Sequence, residues 1–386
     1  MEITITGVFA YITSYKLKKP VKLDFVGGVR TIIKRDALII KITTNSEIIG
    51  WGSGDTGEMG NRNWNIKDIL KVINVDLNKI LKGEDPSEIK ELWNKCSSLL
   101  DIREPLFSQI FGGIDIALWD IKGKALGQPI YNLLGGKVRE KVPVYASSLK
   151  RDLTPIEEAK RAVYFGEQGF GAYKLHSAVP GKIDDDADQT VATVTEVRKA
   201  VGDNMDILVD VNGAYSVHHA IEIGKHLQDL GVFHFEEPRP HYDLEGLSRV
   251  ADALDIPIAS GEMIYSEYEY RDLIIRGKVD IIQPDIVKTP GFTTFLKIAE
   301  IASVLGVPIT CHNTQPIIST VAHAHFVAAT VGVPYAQEYN IEHVSIRDDY
   351  PILSEPLNIK DGFLTVPEGP GLGIELDMDM VRKLAG

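Results

Sequence analysis

The chain has 386 residues, 44% hydrophobic and 25% charged, with 34 Gly, 19 Pro and 2 Cys, an ordinary composition for a globular protein of about two domains. That length buries a core large enough to dispense with disulfides and structural metals, so Cys96 and Cys311 read as reduced thiols of a cytoplasmic protein. The formal charge of −13 argues against nucleic acid and anionic membranes as partners, the first residues lack a basic signal-peptide start, and no apolar run reaches a membrane-spanning length.

Residues 1–55 read as antiparallel strands, with strong alternation from Ala37 to Gly50 and a turn at Asn45-Ser46. From Asn65 to Gly123 the apolar spacing becomes helical, punctuated by Asp85-Pro86-Ser87. Residues 1–125 are thus expected to form an α+β capping domain. After Val142 short apolar strands alternate with amphipathic stretches. The strand candidates are 142–146, 172–175, 207–211, 232–235, 256–259, 279–283, 307–310 and 335–337. Eight βα units in series predict an α/β fold, a (β/α)8 TIM-like barrel over 126–355. A doubly wound open sheet would also alternate strand and helix, but it seldom keeps eight even units and normally shows a phosphate fingerprint after its first strand. Residues 358–366 look like a strand returning to the cap, within a C-terminal segment spanning 356–386.

In a parallel barrel the C-terminal strand ends share one face, so polar residues there converge. The second strand ends in Lys174-Leu175-His176, the third in Asp210-Val211-Asn212, the fourth in Glu236-Glu237-Pro238 and the fifth in Ser260-Gly261-Glu262. The sixth ends in Pro284-Asp285, the seventh in Cys311-His312-Asn313 and the eighth in Gln337-Glu338-Tyr339. One acidic residue after a strand is ordinarily a solvated loop residue or a helix cap. Asp210, Glu236 and Glu262 come from consecutive strands, however, and three such carboxylates side by side call for a cation between them. Hard oxygen donors with room for water and substrate suit Mg2+. Lys174 and His176 point the same way from the second strand. Asp285 and His312, from neighbouring strands, form a carboxylate–imidazole pair that would fix the tautomer and raise the basicity of the imidazole.

At these residues the sequence resembles the enolase superfamily and, within it, the mandelate racemase subgroup. The resemblance spans essentially the whole chain and rests on FGGIDIALWDIKGKALGQPIYNLLGG, HFEEP, SGE, PDIVKTPG and PGLGIEL. It implies that Asp210, Glu236 and Glu262 bind Mg2+, that Asp285 and His312 form the dyad, and that Glu338 lies near the substrate carboxylate. It also implies a homo-oligomer acting on a small-molecule carboxylate. The second strand departs from the subgroup's Lys-x-Lys, carrying Lys174-x-His176.

Most members of the subgroup with the Asp–His dyad resemble acid-sugar dehydratases. The expected reaction is therefore Mg2+-dependent dehydration of an aldonate or aldarate to a 2-keto-3-deoxy acid, through α-proton abstraction and an enediolate. The alternatives are a racemase or epimerase of a 2-hydroxy acid and, from another class, a non-catalytic binding barrel. His312 is expected to be the base. His176 is expected to be a polar or acid group, because it shares a strand face with cationic Lys174. Selectivity is expected from cap loops 17–35 and 52–64, with Asp24, Arg30 and the strand-end Asn212 as candidate substrate contacts.

Other patterns read as structural. Gly52-x-Gly54-x-x-Gly57 has dinucleotide-fingerprint spacing but opens no helix, so it is expected to form a flexible specificity loop. Asp184-Asp185-Asp186 reads as a solvated helix start and His218-His219 as surface. Cys311 points away from the dyad, and Lys288 offers electrostatic help beside it.

Overall fold

A computed structural model of the chain describes residues 3–25, 28–54, 66–98, 104–315, 317–343 and 352–385. The cap sheet is an antiparallel meander of β1 (Ile5–Phe25), β2 (Gly28–Thr44) and β3 (Ile49–Gly54). Alternation along β2 sends Leu38, Ile40 and Ile42 into the cap core and Ala37 and Ile39 into the barrel core. Over residues 37–42 the strand is therefore buried on both faces, where a half-buried strand would show a polar one. Beyond Lys16 and Lys34 the β1–β2 hairpin continues as a long arm.

Cap helices α1 (Ile66–Lys71), α2 (Asn78–Leu81) and α3 (Ile89–Ser97) cover the sheet, and α4 (Pro105–Leu126) runs between cap and barrel. Gly50, Gly52 and Gly54 lie on one face of β3 against α4. Added Cβ atoms there would meet Ala117 O at 2.2 Å, Gly113 O at 1.7 Å and Gln109 O at 2.9 Å. A strand's two-residue repeat thus meshes with the helix's four-residue repeat. On the other side of α4, a Cβ on Gly112 would touch Thr289 O at 2.9 Å, and Ser108 Oγ donates to Lys288 O. The glycine series is a packing seam, and the flexible loop expected of it is not what Gly52 and Gly54 form. Residues 55–65, with Gly57, lie outside the described residues.

After α5 (Ile130–Leu133) the barrel strands follow: β4 (Lys141–Ser147), β5 (Ala172–His176), β6 (Asp206–Asp210), β7 (His234–Glu236), β8 (Ile258–Ser260), β9 (Ile281–Ile282) and β10 (Gln337–Asn340). β4 to β9 pair in parallel in sequence order, and β10 pairs with β4 to close the ring. The expected seventh strand is reduced to one parallel bridge, Ile282 with Ile309. It is held by Thr310 N to Ile282 O, His312 N to Pro284 O and Glu338 N to Cys311 O. The eighth strand begins at Gln337 and not at Tyr335.

Outer helices α6 (Pro155–Glu167), α7 (Thr190–Val201), α8 (Val217–Asp229), α9 (Leu244–Ala251), α10 (Glu267–Ile275), α11 (Gly291–Leu305) and α12 (Ile318–Ala329) surround it. Capping boxes at Thr154/Glu157 and Ser266/Glu269 start α6 and α10. Tyr145, Ala172 and Leu208 form a small apolar floor inside the barrel.

Residues 358–366 do not return to the cap. β11 (Ile359–Lys360) and β12 (Phe363–Thr365) form a hairpin whose second strand pairs antiparallel with residues 141–143 of β4. The cap is reached by α13 (Met378–Ala385), which packs on β1. Among the described residues no helix is long and apolar enough to cross a membrane.

Candidate active site

Asp210 closes β6, Glu236 closes β7 and Glu262 follows β8 by two residues. Parallel register sets Asp210 beside Glu236, and one oxygen from each of the three carboxylates lies within 4.8 Å of the others. No other such acidic, histidine or cysteine group occurs among the described residues. Asp210 and Glu236 are buried, while the Glu262 side chain is 15% exposed and forms the open side of the cluster. All-oxygen donors with one open side fit Mg2+.

Lys174 lies beneath, fully buried, with Nζ 2.9 and 3.0 Å from the Glu236 oxygens and 3.2 Å from Glu338 Oε1. Burial alone would lower its pKa, but Glu236 and Glu338 outweigh burial and hold the ammonium well above the usual lysine range. The same attraction keeps Glu236 below the usual carboxylate range against its own burial. Glu338 is likewise held low, accepting from Ser147 Oγ at 2.7 Å and Asn313 N at 2.9 Å.

A fourth carboxylate, Glu237, is not recognisable from the sequence pattern. Strand alternation sends it away from Glu236's face, but its φ of 42° turns the backbone there. Burial first, and then Glu262, Asp210 and Glu236, push its carboxyl well above the usual range, and its Oε1 has no hydrogen-bond partner among the described residues.

His312 Nδ1 donates to Asp285 Oδ2 at 2.7 Å, which turns Nε2 into the site, 3.2 Å from Glu262 and 3.8 Å from Glu338. Burial and Lys288 lower the imidazole pKa; Glu262, Glu338 and the Asp285 hydrogen bond prevail and raise it. Behind the dyad, His323 Nε2 accepts from Ile286 N at 3.0 Å and its Nδ1 donates to Ser319 O at 2.9 Å. His323 is therefore a neutral brace. Cys311 packs into the barrel's outer core, away from the dyad.

On the other flank, His176 Nδ1 donates to the Ser148 carbonyl, leaving Nε2 2.8 Å from Asp210 Oδ2. Its charged neighbour is thus a carboxylate, and Lys174 is engaged by Glu236 and Glu338. Asn212 Nδ2 donates to Asp210 Oδ2 at 3.1 Å, and its Oδ1 accepts from Arg151, a loop residue that no sequence motif marks.

The hairpin arm reaches the barrel mouth, where Lys150 Nζ donates to Lys22 O at 3.3 Å and Arg35 Nη2 donates to Thr314 O at 2.8 Å. Arg30 is exposed on β2, and the side chain of Asp24 lies outside the described residues. Lys288 is buried beside the site, its Nζ 3.3 Å from Met263 Sδ. Asp184 to Asp186 do not start α7, which begins at Thr190; Asp184 instead accepts from Ser216 N at the start of α8.

The mandelate racemase/muconate lactonizing enzyme N-terminal domain model matches residues 6–135, and the enolase C-terminal domain-like model matches residues 156–380. An arabinonate dehydratase of Saccharolobus solfataricus is 34% identical over 78% of this chain and 80% of its own length. A D-galactarolactone cycloisomerase of Agrobacterium fabrum is 31% identical over 98% of both. A D-galactonate dehydratase of Pectobacterium atrosepticum is 32% identical over 89% of this chain and 90% of its own. Among solved structures, a putative mandelate racemase from Bordetella bronchiseptica superposes with a TM-score of 0.89 at 31% identity, covering 100% of this chain and 98% of that one. A mandelate racemase/muconate lactonizing protein from Paracoccus denitrificans complexed with magnesium gives 0.86 at 29%, covering 99% and 98%. The 3,6-anhydro-D-galactonate cycloisomerase from Zobellia galactanivorans gives 0.83 at 28%, covering 99% of both. With matched models over both the cap and the barrel, the chain belongs to the mandelate racemase/muconate lactonizing enzyme family of the enolase superfamily.

Proposed function

We propose that the protein is a Mg2+-dependent sugar-acid dehydratase, converting an aldonate or aldarate to a 2-keto-3-deoxy acid. The observation that carries this reading is the placement of two imidazole Nε2 atoms, one beside Asp210 and the other beside Glu262, at opposite ends of one carboxylate triad. Dehydratases of arabinonate and galactonate among the relatives support it.

Asp210, Glu236 and Glu262 would hold the ion, which when bound supplies electrophilic stabilisation of the substrate carboxylate as the α-proton leaves. His312 Nε2 takes that proton, and Asp285 stabilises the imidazolium that forms. Lys174 supplies fixed positive charge beneath the developing enediolate. His176 stands on the other flank as a polar or acid group for the departing β-hydroxyl. A Lys or His base working beside Mg2+ is the general pattern of the enolase superfamily, and these residues fit it.

A second reading is cycloisomerisation, favoured by the full-length match to the galactarolactone cycloisomerase. It would begin with the same proton removal but expel a ring oxygen in place of water. Incubation of aldonates, aldarates and their lactones with Mg2+ in D2O, followed by NMR, tests both. Accumulation of 2-keto acid from an open-chain sugar acid is expected, and His312→Asn should reduce it by about 10²–10⁴-fold. His176→Asn should retain α-proton exchange on the face served by His312. Turnover of lactones alone would establish the cycloisomerase, and epimer without keto acid would establish the epimerase.

A further inference from the structure

Asp210 is held by its own neighbour. Asn212 has a φ of 43°, a left-handed conformation that asparagine tolerates better than most residues. It brings the Asn212 N–H within 2.8 Å of Asp210 Oδ1 and Nδ2 within 3.1 Å of Oδ2. The two ends of an asparagine amide are nearly the same shape but opposite in chemistry, one donating and the other accepting. Turned the other way, Oδ1 would face the Asp210 carboxylate and repel it.

What selects the orientation is the group at the far end. Arg151 Nη2 donates to Asn212 Oδ1, and Arg151 Nε donates to Ala178 O at 2.8 Å. A guanidinium has no acceptor, so it meets the oxygen and leaves the NH2 group for Asp210. Arg151 lies in the loop after β4, Ala178 in the loop after β5, and Asn212 in the loop after β6. One half-buried side chain therefore ties three successive barrel loops.

We propose that Arg151 is a positioning residue for the metal ligand Asp210, acting through Asn212. The proposal rests on the Mg2+ reading of the triad. It has a sign that simple electrostatics does not share. A cation near a cation site opposes Mg2+, so Coulomb's law alone predicts tighter binding when Arg151 is removed, whereas positioning predicts weaker binding.

The test is calorimetric titration of Mg2+, without substrate, into the wild type, Arg151→Met, Asn212→Ala, the double variant and Glu262→Gln, with Tm recorded for each. Arg151→Met keeps most of the aliphatic stem and should weaken Mg2+ binding by about 10–100-fold, the usual effect of losing a group that orients a ligand. Asn212→Ala should lose a similar factor, and the double variant should bind no more weakly than Asn212→Ala. Equal or tighter binding by Arg151→Met overturns the proposal, as does a double variant whose losses multiply. If Arg151→Met does not fold, Arg151→Gln reads the same quantity. A wild type that binds no more Mg2+ than Glu262→Gln overturns the metal reading and this proposal together. Binding by the wild type with unweakened Arg151 variants overturns this proposal alone.

Discussion

The acids of the triad are unequal. Glu236 is the main partner of the buried Lys174 ammonium, while Glu262 stands at the open side against His312. Removing one partner of a buried pair leaves an uncompensated charge, which typically costs about 3–5 kcal/mol. Glu236→Gln should therefore lose both Mg2+ binding and stability of that order, read by calorimetry and urea unfolding. Glu262→Gln should lose Mg2+ binding with its unfolding midpoint nearly unchanged. Equal destabilisation in the two variants would mean that Lys174 does not depend on Glu236. The positions of the acids were legible because strand ends converge whatever their separation in sequence. Glu237 was hidden by a left-handed backbone turn and Arg151 by its place in a loop, neither of which periodicity reports. Whether Lys174 weakens His176 as a base depends on distances that strand alternation does not supply: His176 Nε2 faces Asp210, and Lys174 is held by Glu236 and Glu338.

Strands and helices were easier to place than their ends. Eight barrel positions follow from the repeat length, but the seventh shrinks to a single bridge at Ile309 and the eighth starts two residues late. Periodicity also could not assign 358–366, because an alternating segment looks alike wherever it pairs. The glycine series shows the same limit. Its spacing was plain, yet its purpose is the approach of β3 to α4, which only tertiary structure reveals. Gly52→Ala would put a Cβ 1.7 Å from Gly113 O, so it should destabilise by about 3 kcal/mol or more, beyond ordinary overpacking. Gly171→Ala, with nothing among the described residues within 4 Å of the added carbon, should be neutral or gain up to about 1 kcal/mol. Chemical unfolding compares them, and a Gly52→Ala protein as stable as Gly171→Ala would refute the seam.

At the scale of the whole molecule, cap, barrel and C-terminal segment share polar ties. Asp120 on α4 accepts from Trp51 N on β3 at 2.9 Å and from Leu372 N at 2.7 Å. His325 on α12 bonds Leu372 O at 3.0 Å and stacks on Tyr131 of α5. Burial pushes the His325 pKa down from 6.5 to about 4. Between those values the unfolded chain takes up a proton that the folded chain refuses, so stability falls as pH drops through that window and levels off below it. The full loss is about 3 kcal/mol. His325→Gln should remove that share of the acid sensitivity, measured as the difference in urea midpoints between pH 7 and pH 4.5. Parallel pH dependence in variant and wild type would show that the imidazole does not resist protonation.

The hairpin of β11 and β12 bears on how separate molecules meet. β4 begins at Lys141, below the level where β5 and β10 start to pair with it. An overhanging strand is a row of backbone donors and acceptors that another chain can extend into a shared sheet. β12 occupies that overhang at residues 141–143, and Gly362 O takes the Val144 N–H. The backbone groups of β4 at 141–143 are therefore paired within the chain, and a segment remote from the chemistry leaves no open edge there for another strand to extend.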